Sequence, residues 1–147
     1  HKAIRRQRQM CIRDSSKAGV HNVMMYDVSK VHPSYINAKA WEYSHLVLAA
    51  PTYNLNLFLP MENFLHDLST LSFQKRKIAV LGCHTWSSVA HKEMVNYVEN
   101  VFKNCELFPT TLDMKSSLHK DQESIIDAMA KEIADDVAAY PDPNTLI

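Results

Sequence analysis

At 147 residues, with 46% hydrophobic and 22% charged, the chain has the size and composition of one folded globular domain with a sizeable core. Its net charge of +0 divides unevenly: residues 1–13 hold Lys2, Arg5, Arg6, Arg8 and Arg13 and no acid, +5 against −5 for the rest, which argues against nucleic acid as the folded part's partner. No apolar run approaches the roughly 20 residues that span a bilayer, and the N-terminal residues lack the apolar stretch of a secretory signal. Cys11, Cys83 and Cys105, with no Cys-x-x-Cys pair, argue against a disulfide framework or a cysteine-held metal and make a reducing, cytoplasmic location the expectation.

Residues 1–17 hold good helix formers but few apolar anchors, which predicts a basic arm or the remnant of a first helix; a basic tail for an acidic surface is the alternative. Gly19, one of two glycines with Gly82, suits the C-cap of such a helix. Val20 to Val28 reads as a strand. Ser34 after Pro33 suits an N-cap, with Ile36, Ala40 and Trp41 on one face of a short helix. Leu46 to Ala50 is an apolar run of strand length, which Pro51, lacking an amide hydrogen, is expected to stop. Thr52, Tyr53 and Asn54 follow as a polar and aromatic trio at its carboxyl end. Pro60 suits a first helical turn, and Met61, Phe64, Leu65, Leu68 and Leu71 make an amphipathic face.

Lys75, Arg76 and Lys77 read as a solvated turn, and Ile78 to Gly82 as a second buried strand followed by the loop Cys83 to Ser88. Met94, Val98, Val101 and Phe102 mark the next helix face. Glu106 to Met114 predicts a last strand, interrupted at Pro109 as at an edge or bulge. Asp121 suits the cap of a final helix packed through Ile126, Met129, Ile133 and Val137, and residues 139–147 read as a tail. Strand and helix alternate throughout, which predicts an α/β domain over residues 18–138 with a parallel sheet, helices on both faces and right-handed crossovers. Ligands of such folds sit beyond the carboxyl ends of the strands, which points to the loops after Ala50 and after Gly82.

Residues 20–30, Ala50 to Asn54, Phe58 to Leu65 and the loop Gly82 to Ser87, in this order and spacing, resemble the flavodoxin-like FMN domain of the A-type flavoproteins. In these flavo-diiron proteins a metallo-β-lactamase-like diiron domain precedes the FMN domain. The resemblance implies a flavodoxin-like three-layer sandwich, sheet order 2-1-3-4-5, with FMN at the switch point between the first and third strands. Pro51, Thr52, Tyr53, Asn54 and Phe58 then match the loop on the ribityl chain and one flavin edge. Cys83, His84, Thr85, Trp86 and Ser87 match the second flavin loop, of whose usual pattern only Trp86 and Ser87 are kept. The implied function is electron transfer: FMN takes electrons from a rubredoxin or flavin reductase and hands them to a diiron centre that reduces O2 or NO, in an assembly that includes a homodimer.

Three departures stand out. The family's first strand and phosphate loop have no counterpart upstream of Gly19. Residues 8–15 resemble translated adapter sequence, which makes the first 15 residues candidates for foreign sequence and the domain an N-terminally truncated one. Leu55 stands where a small residue is common, and Thr85 and Ser88 replace glycines, a change expected to crowd a ring stacked on the backbone.

The residue chemistry agrees with the resemblance without requiring it. Thr52 and Asn54 offer hydroxyl and amide groups to ribityl hydroxyls or a pyrimidine edge, and Tyr53 and Trp86 offer flat surfaces for stacking. Packing in the core and at its rim is the competing role for Tyr53, Phe58 and Trp86. His84 and His91 lack the convergent spacing of a metal site, and Cys83 beside His84 on one loop lacks the third group of a nucleophile pair, so no metal and no catalytic residue is expected. The alternative function is a truncated or degenerate flavodoxin-like domain without cofactor, serving as an interaction or structural module.

Overall fold

In the computed structural model, which describes residues 19–20 and 22–139, the chain runs through α1 (Pro33–Glu42), β1 (His45–Tyr53), β2 (Asn56–Leu57) and α2 (Leu59–Thr70). It continues through β3 (Lys77–His84), α3 (Ala90–Asn96) with a π-helical turn at Tyr97–Val101, β4 (Glu106–Leu107), β5 (Leu112–Lys115) and α4 (Lys120–Ala139). The arm predicted at 1–17 and residues 140–147 of the predicted tail lie outside the described residues.

The sheet is built on β3. Its Ile78, Ala79, Val80, Leu81 and Gly82 are buried in succession, as a strand covered on both faces requires. On one side β3 pairs in parallel with β1, from His45 opposite Lys77 to Pro51 opposite Cys83. On the other it pairs in parallel with β4 at its start and with β5 at its end, where Leu81 faces Leu112 and His84 faces Lys115. The two pieces are one strand position interrupted around Pro109, which cannot donate to a ladder. β2 folds back antiparallel on the tip of β1.

Helices cover both faces, as the alternation predicts. Leu48, Ala50, Ile78 and Val80 meet α1, α2 and α3 through Ile36, Ala40, Met61, Phe64, Leu65, Leu68, Ala90 and Met94. Ala79, Leu81, Leu112 and Met114 meet α4 through Ile126 and Met129. The second face of β1 belongs to neither cluster, and Val47 on it is 50% exposed.

Several expectations change. Residues 22–27 have no regular structure instead of forming a strand. A strand is held by its ladder, and among the described residues none pairs with this segment. Asp27 instead closes a turn, its carboxylate accepting from the Ser29 amide and hydroxyl while its carbonyl accepts from the Lys30 and Val31 amides. His32, not Ser34, is the N-cap of α1, its Nδ1 accepting from the Ser34 amide at 3.3 Å. β1 runs through Pro51 to Tyr53; Pro51 itself is in register with Cys83 of β3 alone, and β2 begins to pair on the other side only at Thr52, so among the described residues the missing amide hydrogen need not break a ladder bond. Lys77 starts β3 and Cys83 and His84 end it, because β5 supplies partners as far as His84. Leu71 lies past the end of α2 and is 53% exposed, and Val101 is exposed at the end of the π-helical turn. Asp121 sits inside the first turn of α4, favourable for the helix dipole, while the Gln122 side chain accepts from the His119 amide.

Candidate functional site

Because β1 and β3 are adjacent and parallel, Pro51 and Cys83 stand side by side, and the two predicted loops leave the same edge of the sheet. The first loop is a hairpin tip. Thr52 pairs with Leu57 and Tyr53 with Asn56, leaving Asn54 and Leu55 as a two-residue turn with φ of 50° and 59°. Two successive positive φ values are what a tight hairpin turn demands, which explains why a small residue suits position 55. Tyr53 projects from this tip, 61% exposed, with Leu55 70% exposed beside it in sequence.

Thr52 ties the first loop to the second. Its Oγ1 accepts from the amides of Val89 at 3.2 Å and Ala90 at 3.0 Å, at the start of α3 where Val89 supplies no side-chain cap. The Thr52 hydroxyl keeps its own hydrogen as a donor. Phe58 precedes α2 and packs half-buried against the main core, so it supports the loop from beneath.

The second loop rises from β3. His84 and Ser88 bracket it, and both bond the same carboxylate on β5: the His84 ring nitrogen Nδ1 lies 3.0 Å from Asp113 Oδ1, and the Ser88 hydroxyl donates to Asp113 Oδ2. Between them Trp86 is 93% exposed, Thr85 is exposed and Ser87 half-buried. Neither Thr85 nor Ser88 takes a positive φ, so the loop holds a conformation open to any residue where glycines were expected. Cys83 is a free thiol whose pKa is pushed up by burial, and further by the charge of Asp113. Under the loop, Gly82 is a close-packing position: a Cβ there would meet His91 Cβ at 2.5 Å and Asp113 Oδ1 at 2.7 Å. The His91 Nε2 is buried with no hydrogen-bond partner among the described residues.

The structure thus sets Pro51, Thr52, Tyr53 and Asn54 at the tip of β1 and Cys83, His84, Thr85, Trp86 and Ser87 at the tip of its neighbour. Asp113, and the tie from Thr52 to α3, were not foreseen. Both join segments 25 or more residues apart in sequence, and their only signal is the strand pairing itself. Each of the two loops thus carries one exposed aromatic side chain, Tyr53 and Trp86, together with hydroxyl or amide groups from Asn54, Thr85 and Ser87. Among the described residues no three His, Cys, Asp or Glu side chains converge as a metal site, and no helix is long and apolar enough to cross a membrane.

No family model and no curated protein matches the sequence. Solved structures do match. The flavodiiron protein of Giardia intestinalis superposes with a TM-score of 0.80 at 14% identity, over 95% of this chain and 34% of that one. The rubredoxin oxygen:oxidoreductase of Desulfovibrio gigas gives 0.79 at 17% identity, over 93% and 33%. A flavodoxin from the domain Archaea gives 0.73 at 16% identity, over 88% and 87%. The fold is therefore flavodoxin-like, and the chain spans about a third of the length of the Giardia and Desulfovibrio structures.

Proposed function

We propose that this chain is an FMN-binding electron-transfer domain, of the kind that forms one part of a flavo-diiron O2 or NO reductase. The observation that carries the reading is the exposure of Tyr53 and Trp86 on two loops at the ends of adjacent parallel strands. Large aromatic side chains are costly to leave in water, and a planar ligand that bridges both loops accounts for the two together. FMN supplies the electron-carrying ring, and the protein's contribution is binding, orientation and the local electric field. Tyr53 and Trp86 give the ring its stacking surfaces. Thr52, whose oxygen is engaged by α3 and whose hydroxyl hydrogen remains a donor, and Asn54 offer hydrogen bonds to the ribityl hydroxyls or the pyrimidine edge. Thr85 and Ser87 bring hydroxyls from the second loop.

The flavodoxin-like neighbours support the cofactor, and the flavodiiron and rubredoxin oxygen:oxidoreductase neighbours support the setting. In that setting a rubredoxin or flavin reductase supplies electrons and a diiron domain, in the same chain or across a homodimer, accepts them in the cytoplasm. The test is direct. Added FMN should lose its fluorescence on mixing with the purified protein, and the absorbance of bound flavin should remain after gel filtration. FMN that stays fluorescent and elutes apart from the protein would reject the reading in favour of an interaction module without cofactor.

A further inference from the structure

We infer that Asp113 is the positioning residue of the second loop: it holds the segment that presents Trp86 by accepting hydrogen bonds from both of the loop's ends. The inference rests on the flavin reading. A carboxylate only accepts, so the His84 Nδ1 that lies 3.0 Å from Asp113 Oδ1 carries the hydrogen, and the Ser88 hydroxyl donates to Oδ2. Both carboxylate oxygens are thereby engaged, one at each end of Thr85–Trp86–Ser87.

Besides the Thr52 hydroxyl, which holds the Val89 and Ala90 amides just after the loop, little else fastens the described segment to the fold. Its backbone hydrogen bonds are from the Val89 amide to the Ser87 carbonyl at 3.1 Å, which is local, and from the Ser116 amide to the His84 carbonyl at 2.8 Å, which lies at the strand end. Trp86 is 93% exposed, too little covered for packing of its indole to order the loop. Asp113 is itself fixed, because it lies on β5 opposite Gly82, which has no side chain to displace the carboxylate. The arrangement also sets the His84 ring: with Nδ1 turned to Asp113, Nε2 is the nitrogen left for a ligand.

Asparagine at 113 keeps the shape but presents an amide N–H where an acceptor is needed, so one of the two donors loses its partner. The Asp113→Asn variant should bind FMN at least roughly tenfold more weakly, the loss expected when a hydrogen-bonded charged partner is removed. Ser88→Ala, which leaves β5 untouched, should weaken binding less, Ser88→Thr should retain it, and Ser88→Ala added to Asp113→Asn should cost little more. A second readout needs no flavin. The protein has two tryptophans, so with ¹⁵N-tryptophan labelling the Trp86 backbone amide is one of two signals. Its heteronuclear NOE should fall in Asp113→Asn and in Ser88→Ala, should hold in Ser88→Thr, and Trp41 should not change. An unaltered Trp86 signal in both Asp113→Asn and Ser88→Ala, or FMN affinity within about twofold of wild type in both, overturns the inference. Wild-type protein that leaves FMN fluorescent instead overturns the flavin reading itself, and this role of Asp113 with it.

Discussion

Leu55 holds a φ of 59° and is 70% exposed, so it bears the left-handed backbone of the hairpin tip with little burial to offset it. The left-handed region costs a residue with a Cβ roughly 1–2 kcal/mol, partly balanced by the greater chain entropy glycine would lose on folding. Leu55→Gly is therefore expected to stabilise the protein by roughly 0.5–1 kcal/mol, read as a rise in the urea midpoint at constant slope. Gly82 is the opposite case. A methyl group there meets His91 and Asp113 at under 3 Å, so Gly82→Ala should destabilise by about 1–3 kcal/mol through overpacking and should disturb the Asp113 carboxylate as well. If Tyr53 and Trp86 stack on the ring, Tyr53→Ala and Trp86→Ala should each weaken FMN binding about 2- to 10-fold, with unfolding midpoints close to wild type because both side chains are exposed. Residue types at the two strand tips were readable in the sequence. Their hydrogen bonds were not, since Thr52 to Ala90 and Ser88 to Asp113 each close over many residues.

At the scale of elements, the start of the sheet is clamped to the final helix. Asp136 of α4 accepts from Lys77 Nζ at 2.6 Å and from His45 Nε2 at 2.6 Å, while His45 Nδ1 lies 2.7 Å from the Ser44 hydroxyl. The hydrogen bond from Lys77, joined by that from His45, holds the Asp136 carboxyl below the usual carboxylate range. A depressed folded-state pKa means that the stabilisation is present above the unfolded value and is lost as the pH falls through the folded one. The wild-type urea midpoint should therefore decline below about pH 4. Asp136→Asn should have a lower midpoint at pH 7 and a flatter acid limb, and identical pH curves for the two proteins would contradict the role given to the clamp. Helices α1, α2 and α4 and the strand β3 were legible because their apolar spacing matches their period. The segment 20–28 misled for a physical reason: its β-rich composition has no described strand to pair with, and a strand is a property of two segments. Pro51 misled in the other direction, since a proline ends a strand bonded on both sides but is tolerated at a position that, among the described residues, pairs with β3 alone.

For the whole molecule, the parallel order of β1 beside β3 brings together two loops that are about 30 residues apart in the chain. The alternation of strands and helices made the α/β sandwich legible, and the flavodoxin-like fold follows from the match to solved structures at TM-scores of 0.73 to 0.80. The half exposure of Val47, on the face of β1 that α4 meets at His45, was not legible, because it depends on how far the helices reach along that side of the sheet. The claim on which the account turns is that the tips of β1 and β3 form one cleft for a flat ring. Amide hydrogen exchange followed with and without FMN tests it most directly. The account predicts that FMN slows exchange in peptides covering 52–58 and 83–90 together and leaves those covering α2 and the middle of α4 unchanged. Slowing confined to other peptides, or to one of the two loops alone, would contradict it.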